Sequence, residues 1–117
     1  MEPLTDDEIA EYGRRLTALR AELQRTLAGG EERARPVELT TAQGRVSRVD
    51  AMQQQQMALA EQRRIQARLR GVEQALKRVA EGEYGECGRC GGGIDRRRLE
   101  VRPEGPLCVP CTRALGG

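Results

Sequence analysis

The chain has 117 residues, of which 38% are hydrophobic and 32% charged, and its formal net charge is only +2. Phe, Trp and His are absent and two tyrosines are the only aromatic residues, which argues against a thick sandwich or barrel core, since such cores depend on buried aromatic area. The lack of His removes the usual general base and catalytic zinc ligand, which argues against an enzyme, and the near-neutral charge argues against an electrostatic nucleic-acid binder.

The sequence contains no feature that targets the chain to a membrane or for export. No apolar run approaches the length of a transmembrane helix. The first residues are acidic and polar, unlike those of a signal peptide. We therefore expect a cytoplasmic protein whose cysteines stay in a reducing compartment.

A first helix is predicted from Thr5 onward. Thr5 and Glu8 fit a capping box, in which the two side chains satisfy free backbone amides. Apolar residues then recur at steps of three and four, which places them on one helix face. They are Ile9, Tyr12, Leu16, Leu19, Leu23 and Leu27. Gly29 and Gly30 weaken the helix, and Pro36 is a firmer stop because it disfavours the helical conformation of the residue before it.

A connection and a second helix follow. Residues 30–46 predict the connection, in which Val37 and Leu39 can pack locally. The second helix is predicted to begin with Ser47 as its N-cap and to end at Gly82. Its apolar stripe is clearest near the C-terminal end, where it forms a 4-3-4-3 heptad seam. The members are Ile65, Leu69, Val72, Leu76 and Val79.

Each helix carries one apolar stripe, and the two stripes are best buried against each other. The predicted fold class is therefore mainly α, with a long antiparallel helical hairpin, or coiled coil, over residues 1–81 and a tip near residues 36–50. Residues 47–80 would extend roughly 50 Å at about 1.5 Å per residue, which places the tip far from the cysteines. Dimerisation through the same stripes is the alternative, and we favour the intrachain hairpin of a monomer.

The cysteines predict a small C4 zinc finger, or zinc ribbon, over residues 82–117. Cys87, Cys90, Cys108 and Cys111 follow the pattern C-x2-C-x17-C-x2-C, a spacing typical of a zinc site. Four thiolates leave the metal no open position, so we expect one structural Zn2+. So short a segment rarely folds without a staple, and zinc binding supplies about 10–16 kcal/mol in comparable domains.

Two other uses of the cysteines remain open. A disulfide framework is disfavoured because reducing compartments keep thiols free. A dithiol redox enzyme would need only one cysteine pair and usually a βαβ context.

The residues between the two cysteine pairs predict a miniature core and a basic run. The core candidates are Ile94, Leu99, Val101 and Leu107. The basic run, residues 96–98, is interpreted as a solvated turn of the finger. A contact to an acidic partner surface or a phosphate is the alternative.

Residues 82–111 carry a family resemblance and read GEYGECGRCGGGIDRRRLEVRPEGPLCVPC. This stretch closely resembles the zinc finger of the DksA/TraR family of bacterial transcription regulators. The shared features are an aromatic–Gly step before the first cysteine, a C-x2-C-G-x-x-I turn, an R-L-x-x-x-P segment and a closing C-x2-C. Residues 44–57 resemble the hairpin tip of the shorter DksA-like proteins.

The resemblance implies a regulator that binds RNA polymerase directly, without sequence-specific DNA binding. Family members insert the hairpin tip through the secondary channel and modulate initiation there. The best-known members carry D-x-x-D-x-A at the tip, where this chain has Ser47, Asp50 and Met52. Asp50 is either a first-turn acid beside the helix N-terminus or the carboxylate that acts on the polymerase.

The resemblance also bears on guanosine tetraphosphate, which some members bind through basic side chains. Arg98 and Arg102 are the possible nucleotide or polymerase contacts here. Gly71 and Thr112 replace expected lysines, and the chain ends at Gly117, without the C-terminal helix of longer members. These departures argue against a strong response to that nucleotide.

Other function classes remain as alternatives. A zinc- or thiol-based stress sensor, or an interaction adaptor, could lose zinc on oxidation with no direct effect on the polymerase active centre. An enzyme is disfavoured because no nucleophile–base pair or phosphate-binding glycine loop is present. Zinc fingers that read DNA commonly use His ligands and a basic helix, and the sequence has no His.

Overall fold

The computed structural model describes residues 3–33 and 45–116. Its elements are, in chain order, α1 (Asp6–Arg33), α2 (Arg45–Glu81), α3 (Arg96–Val101) and α4 (Val109–Ala114). The described residues contain no strand, only one antiparallel bridge between Glu86 and Gly93. The predicted fold class, mainly α with a four-cysteine finger after the helices, is confirmed.

Helix α1 begins as its sequence predicts. The amide of Thr5 donates to Glu8 Oε1 at 3.0 Å, and the amide of Glu8 donates to Thr5 Oγ1 at 3.1 Å. The capping box is therefore confirmed. The helix continues through Gly29 and Gly30 to Arg33, so these glycines do not end it.

Helix α2 begins at Arg45, two residues before the predicted start, and the assignment of Ser47 as its N-cap is wrong. Arg45 and Val46 are both compatible with a helix, so they extend α2 at little cost. Asp50 consequently lies beyond the first turn, which contains no acidic residue. Its interpretation as a first-turn acid is wrong as well.

The predicted connection is shortened from both ends by the helices. Pro36, Val37 and Leu39 lie outside the described residues, as does most of the predicted tip. Of the tip, the structure describes the part that belongs to α2.

The two long helices pack on each other in an antiparallel hairpin. A Cβ placed on Gly13, near the start of α1, would lie 3.4 Å from Cγ1 of Val79, near the end of α2. Both predicted stripes enter one core, in which Leu16 and Val72 have no exposed area. Ala75 is also buried, although the sequence analysis did not include it. The molecule is elongated as a result, with extents of 64 × 29 × 19 Å.

The buried residues of the finger belong to the same hydrophobic cluster as those of the hairpin. Ile94 and Leu99 are buried and Leu107 is partly buried, as predicted. Val101 is 82% exposed, so its assignment to this core is wrong. The reason is that Val101 lies two residues after Leu99 on α3, and two helical steps turn it to the opposite side.

The basic run lies in a helix, and its interpretation as a turn is wrong. Asp95 caps α3, and its Oδ1 accepts from the Arg97 amide at 2.8 Å. Residues 96–98 therefore lie in a short helix of about one and a half turns, which Asp95 caps. Among the described residues, no helix is both long and apolar enough to span a bilayer.

Candidate metal centre

The four cysteine sulfurs converge on one point. All four Sγ atoms lie within 4.8 Å of one another, and Cys90 Sγ lies 3.8 Å from Cys108 Sγ. Zinc–sulfur bonds of about 2.3 Å in a tetrahedron separate the sulfurs by about 3.8 Å. The donor set and the spacing therefore fit one zinc ion with four thiolate ligands.

The first cysteine pair lies in a tight turn closed by backbone hydrogen bonds. The amide of Gly91 donates to the Cys87 carbonyl at 2.9 Å, and the amide of Cys87 donates to the Gly92 carbonyl at 2.7 Å. Gly91 has a φ of +75°, a conformation that disfavours residues with a Cβ. The turn thus needs glycine after Cys90 to bring both sulfurs to one side.

Backbone amides surround the sulfurs of this turn. Cys87 Sγ accepts from the amides of Arg89 and Cys90 at 3.4 and 3.5 Å, and Cys90 Sγ accepts from Gly92 at 3.4 Å. The hydrogen bond from the Cys90 amide is the main cause that lowers the pKa of Cys87 to about 5. This arrangement favours a thiolate, which is the form that binds zinc.

The second cysteine pair sits at the start of α4. Cys108 is the N-cap of this helix and Cys111 lies one turn later on the same face. Hydrogen bonding with the Cys108 thiol raises the pKa of Cys111 to about 12, because the crowded sulfurs hold a proton. Zinc binding must therefore release protons from this side of the cluster.

Helix α1 holds the finger from one side. Tyr12 donates its hydroxyl to Glu100 Oε1 at 2.6 Å, and Arg15 Nη1 donates to Glu100 Oε2 at 2.9 Å. Arg96 pairs with Glu8, the capping residue of α1. Two residues of α3 are thus tied to the first three turns of the hairpin.

Helix α2 holds the finger from the other side. Arg68 Nε donates to Glu104 Oε1 at 3.0 Å, and the Glu104 side chain is only 7% exposed. Tyr84, which follows α2, donates its hydroxyl to the Pro103 carbonyl within the finger at 2.8 Å, and its ring packs 5.5 Å from that of Tyr12 in α1. The finger is therefore fixed to the base of the hairpin by contacts from both helices.

The sequence analysis missed the glutamates that make these contacts. Glu100 and Glu104 are separated from their partners by 88 and 36 residues. The sequence offers one weak signal for them. Glu100 and Glu104 are two of only three acidic residues after the first cysteine, in a segment that is otherwise rich in arginine.

The two predicted nucleotide or polymerase contacts have different surroundings. Arg98 is bound inside the finger, where its Nε donates to the Leu107 carbonyl and its Nη2 to Thr112 Oγ1, both at 3.0 Å. It thereby joins α3 to α4, which contains the ligand Cys111 and is capped by the ligand Cys108. Arg102 is 68% exposed and approaches Glu104 only to 4.0 Å.

The tip candidates lie at the opposite end of α2. Asp50 is exposed and Met52 is 55% exposed, and Ser47 lies within the helix. Residues 50–81 correspond to about 46 Å of helix. The structure therefore keeps the tip candidates well away from the metal centre and does not bring the two groups together.

These features define a class of protein: a helical hairpin held at its base by a four-cysteine zinc finger. The RNA polymerase-binding transcription factor DksA of Escherichia coli (strain K12) is 36% identical over 63 residues, which cover 52% of this chain and 42% of the relative. The same protein of Buchnera aphidicola is 35% identical over the same shares. The matched part thus spans less than half the length of these curated relatives.

Solved structures show the same architecture. The transcription factor DksA2 from Pseudomonas aeruginosa superposes with a TM-score of 0.74 at 27% identity, over 92% of this chain and 82% of that one. The RNA polymerase binding protein and transcriptional regulator Dks from Chlamydia trachomatis gives 0.62 at 25% identity, over 97% and 93%. No protein-family model matches the sequence. The chain is DksA-like in sequence and fold.

Proposed function

We propose that this protein is a bacterial transcription regulator that binds RNA polymerase directly. The observation that carries the proposal is the joint match of hairpin and finger to DksA2 over 92% of the chain. The curated relatives are named as RNA polymerase-binding transcription factors, which supports the same partner. These relatives are regulators rather than enzymes, in keeping with the lack of catalytic groups expected from the sequence.

The hairpin tip is proposed to act inside the polymerase, through the secondary channel. A slender rod suits this role, because a long α2 can carry Asp50 into a site that a globular domain cannot enter. Asp50 is exposed and lies outside the first turn of α2, so capping does not account for its charge. Ser47 and Met52 complete the proposed tip.

Direct DNA recognition and a strong guanosine tetraphosphate response are not part of the proposal. The Arg98 guanidinium is bound within the finger, which leaves it poorly placed for an external phosphate. Gly71 and Thr112, at the positions where the resemblance implies lysines, carry no positive charge. Regulation by protein contact is thus favoured over regulation by nucleic-acid contact.

A binding and transcription assay tests the proposal. The labelled zinc-loaded protein should bind bacterial core RNA polymerase at micromolar concentration or below, and should change open-complex lifetime in a purified transcription system. A variant lacking residues 36–50 should keep binding through the rest of the molecule but lose the transcription effect. Absence of both binding and a transcription effect in the intact protein contradicts the proposal.

A further inference from the structure

The finger has a groove on the side of α3 that faces away from α1, called here the finger groove. Arg96 and Glu100 leave the other side of α3 and bind α1. The finger groove has a volume of about 490 Å3 and lies between α3 and α4. Its lining residues are Asp95, Arg97, Arg98, Val101, Arg102 and Val109.

Two valines form the apolar part of the finger groove. Val101 is 82% exposed, more than any other large apolar side chain that the structure describes, and Val109 is half-buried. Covering this surface with an apolar side chain of a partner would remove it from water, which is favourable. The valines therefore favour a partner that brings an apolar group.

The charge around the valines is positive. Arg97 is exposed, and within the described part of the chain its guanidinium takes part in no hydrogen bond or ion pair. Arg102 is 68% exposed and approaches Glu104 only to 4.0 Å. Arg98 adds a third positive charge, because the two finger oxygens to which it is hydrogen-bonded are neutral.

The acidic residues of the finger are already bound elsewhere. Asp95 lines the groove, but its Oδ1 accepts from the Arg97 amide and caps α3. Glu100 is bound to side chains of α1, and Glu104 is buried and bound to α2. These three are the acidic residues that follow the first cysteine. Two of them therefore cannot neutralise the groove, and the third is one carboxylate among three arginines.

The metal centre lies beside the finger groove and also contributes to its charge. A zinc ion bound by four thiolates keeps a net negative charge. Arg89 and Arg113 lie next to the two cysteine pairs in the chain and are both exposed, so they offset this charge. The finger groove therefore stays positive when the metal is bound.

The combination of valines and arginines selects the kind of partner. A free phosphate would pair with the arginines and leave the valines in water. Nucleotide bases are commonly held by stacking on aromatic side chains, and both tyrosines of the chain are only 6% exposed. Carboxylates pair well with arginine, so an apolar side chain flanked by carboxylates matches the whole lining. The lining therefore favours an acidic protein segment.

We propose that the finger groove is a docking site for an acidic segment of a partner protein, with an apolar side chain between its carboxylates. The apolar side chain covers Val101 and Val109, and the carboxylates pair with Arg97 and Arg102. The molecule is 64 Å long, and the tip candidates lie at the end opposite the finger. A segment bound in the groove thus leaves the tip free, and this docking does not depend on the proposed function.

A titration with synthetic peptides tests the chemistry of the finger groove. The labelled, zinc-loaded full-length protein is titrated at physiological salt with a terminally blocked peptide that has one leucine between two pairs of glutamates. The backbone NMR resonances of residues 97–102 and 109 should shift. One twin peptide has glutamines in place of the glutamates, and another has serine in place of the leucine. Each twin should bind about fivefold or more weakly, because each lacks one kind of contact.

Substitutions in the finger groove, with a matched control, locate the binding site. Val101→Asn and the double variant Arg97→Gln/Arg102→Gln should each weaken binding of the leucine peptide about fivefold or more. The control Arg25→Gln/Arg63→Gln makes the same change in net charge at exposed positions of the hairpin and should stay within about twofold. Circular dichroism and the zinc content confirm that the variants remain folded.

Each result of these experiments has a definite meaning. Weaker binding of both twins and of both groove variants supports the docking site. Absence of shifts at millimolar leucine peptide overturns it, and so does a serine twin that binds as well as its parent, since charge alone then accounts for binding. Equal weakening in the control variant overturns it as well. Stronger binding of inorganic pyrophosphate or of a short DNA strand at the same residues would identify a phosphate site and would also overturn it.

Discussion

Asp50 is the residue whose role the proposed function depends on most. The change Asp50→Asn removes the charge and keeps the size of the side chain. We expect affinity for core polymerase to stay within about twofold, because one exposed charge contributes little to binding, while most of the effect on initiation is lost. Binding and open-complex lifetime, measured side by side, check this prediction.

The matched control for Asp50 is Asp7→Asn, which removes an exposed acid at the other end of the hairpin. It should leave the transcription effect unchanged. Equal transcription effects for wild type and Asp50→Asn would show that the tip acts through its shape or through other side chains.

Tyr12 reports on the junction between finger and hairpin. Burial, and then the hydrogen bond to Glu100, raise the pKa of Tyr12 from its ordinary value of 10.0 to about 12. The absorbance of ionised tyrosine should therefore rise at unusually high pH. In Glu100→Gln the pKa of Tyr12 should fall but stay above its ordinary value, because burial remains.

The raised pKa of Tyr12 also predicts that the free energy of unfolding falls at high pH. Between about pH 10 and pH 12 the folded state keeps the Tyr12 proton that the unfolded chain has already lost. The stabilisation of the folded state that comes from this proton is therefore complete below pH 10 and is lost as the pH rises to about 12. Denaturant unfolding of wild type across this range should show the decline, and Tyr12→Phe should show less of it. A wild-type tyrosine that titrates near 10 would contradict the hydrogen-bonded, buried position of Tyr12.

At the scale of elements, the glycines of α2 and of the finger differ in what they permit. A Cβ on Gly71 would lie 3.7 Å from Glu104 Cγ, an ordinary contact. Gly71→Ala should therefore stabilise the protein by about 0.5–1 kcal/mol through helix propensity. Urea unfolding measures this, and a loss of stability would mean that the finger packs more tightly on α2 than the structure has it.

Gly85→Ala is the contrasting variant for that measurement. Gly85 has a φ of +90°, and a Cβ there would lie 2.9 Å from Leu4 Cδ1. Leu4 is flexible and can move aside, but the backbone strain remains, so we expect a loss of about 1–3 kcal/mol.

Removal of the metal should affect the finger and the hairpin differently. A chelator should unfold the finger, since its two six-residue helices and small core depend on the cysteine cluster. The hairpin contributes buried residues from both of its helices, among them Leu16 and Val72, and should remain helical. Far-ultraviolet circular dichroism should thus change little, while the near-ultraviolet tyrosine bands change as the Tyr12–Tyr84 contact is lost. Full loss of helicity would contradict an independent hairpin.

Across the whole molecule, features encoded by local patterns were predictable and long-range contacts were not. The apolar stripes follow helical periodicity and the zinc ligands follow cysteine spacing, so both could be read directly from the sequence. Glu100 and Glu104 acquire their roles only when the finger packs against the hairpin. Their partners are distant in sequence, so no local pattern predicts these contacts. Val101 shows the same limit, because the orientation of a six-residue helix decides its exposure.

The central claim is that the far end of the rod meets the catalytic centre of the polymerase while the finger stays outside. Site-specific photocrosslinking tests it most directly, with a photoreactive methionine analogue at Met52 and the same group at Leu115 of the finger, both exposed. We predict that position 52 crosslinks to polymerase segments beside the catalytic centre and that position 115 crosslinks only to the outer surface. Crosslinks from position 52 confined to the outer surface would contradict the account.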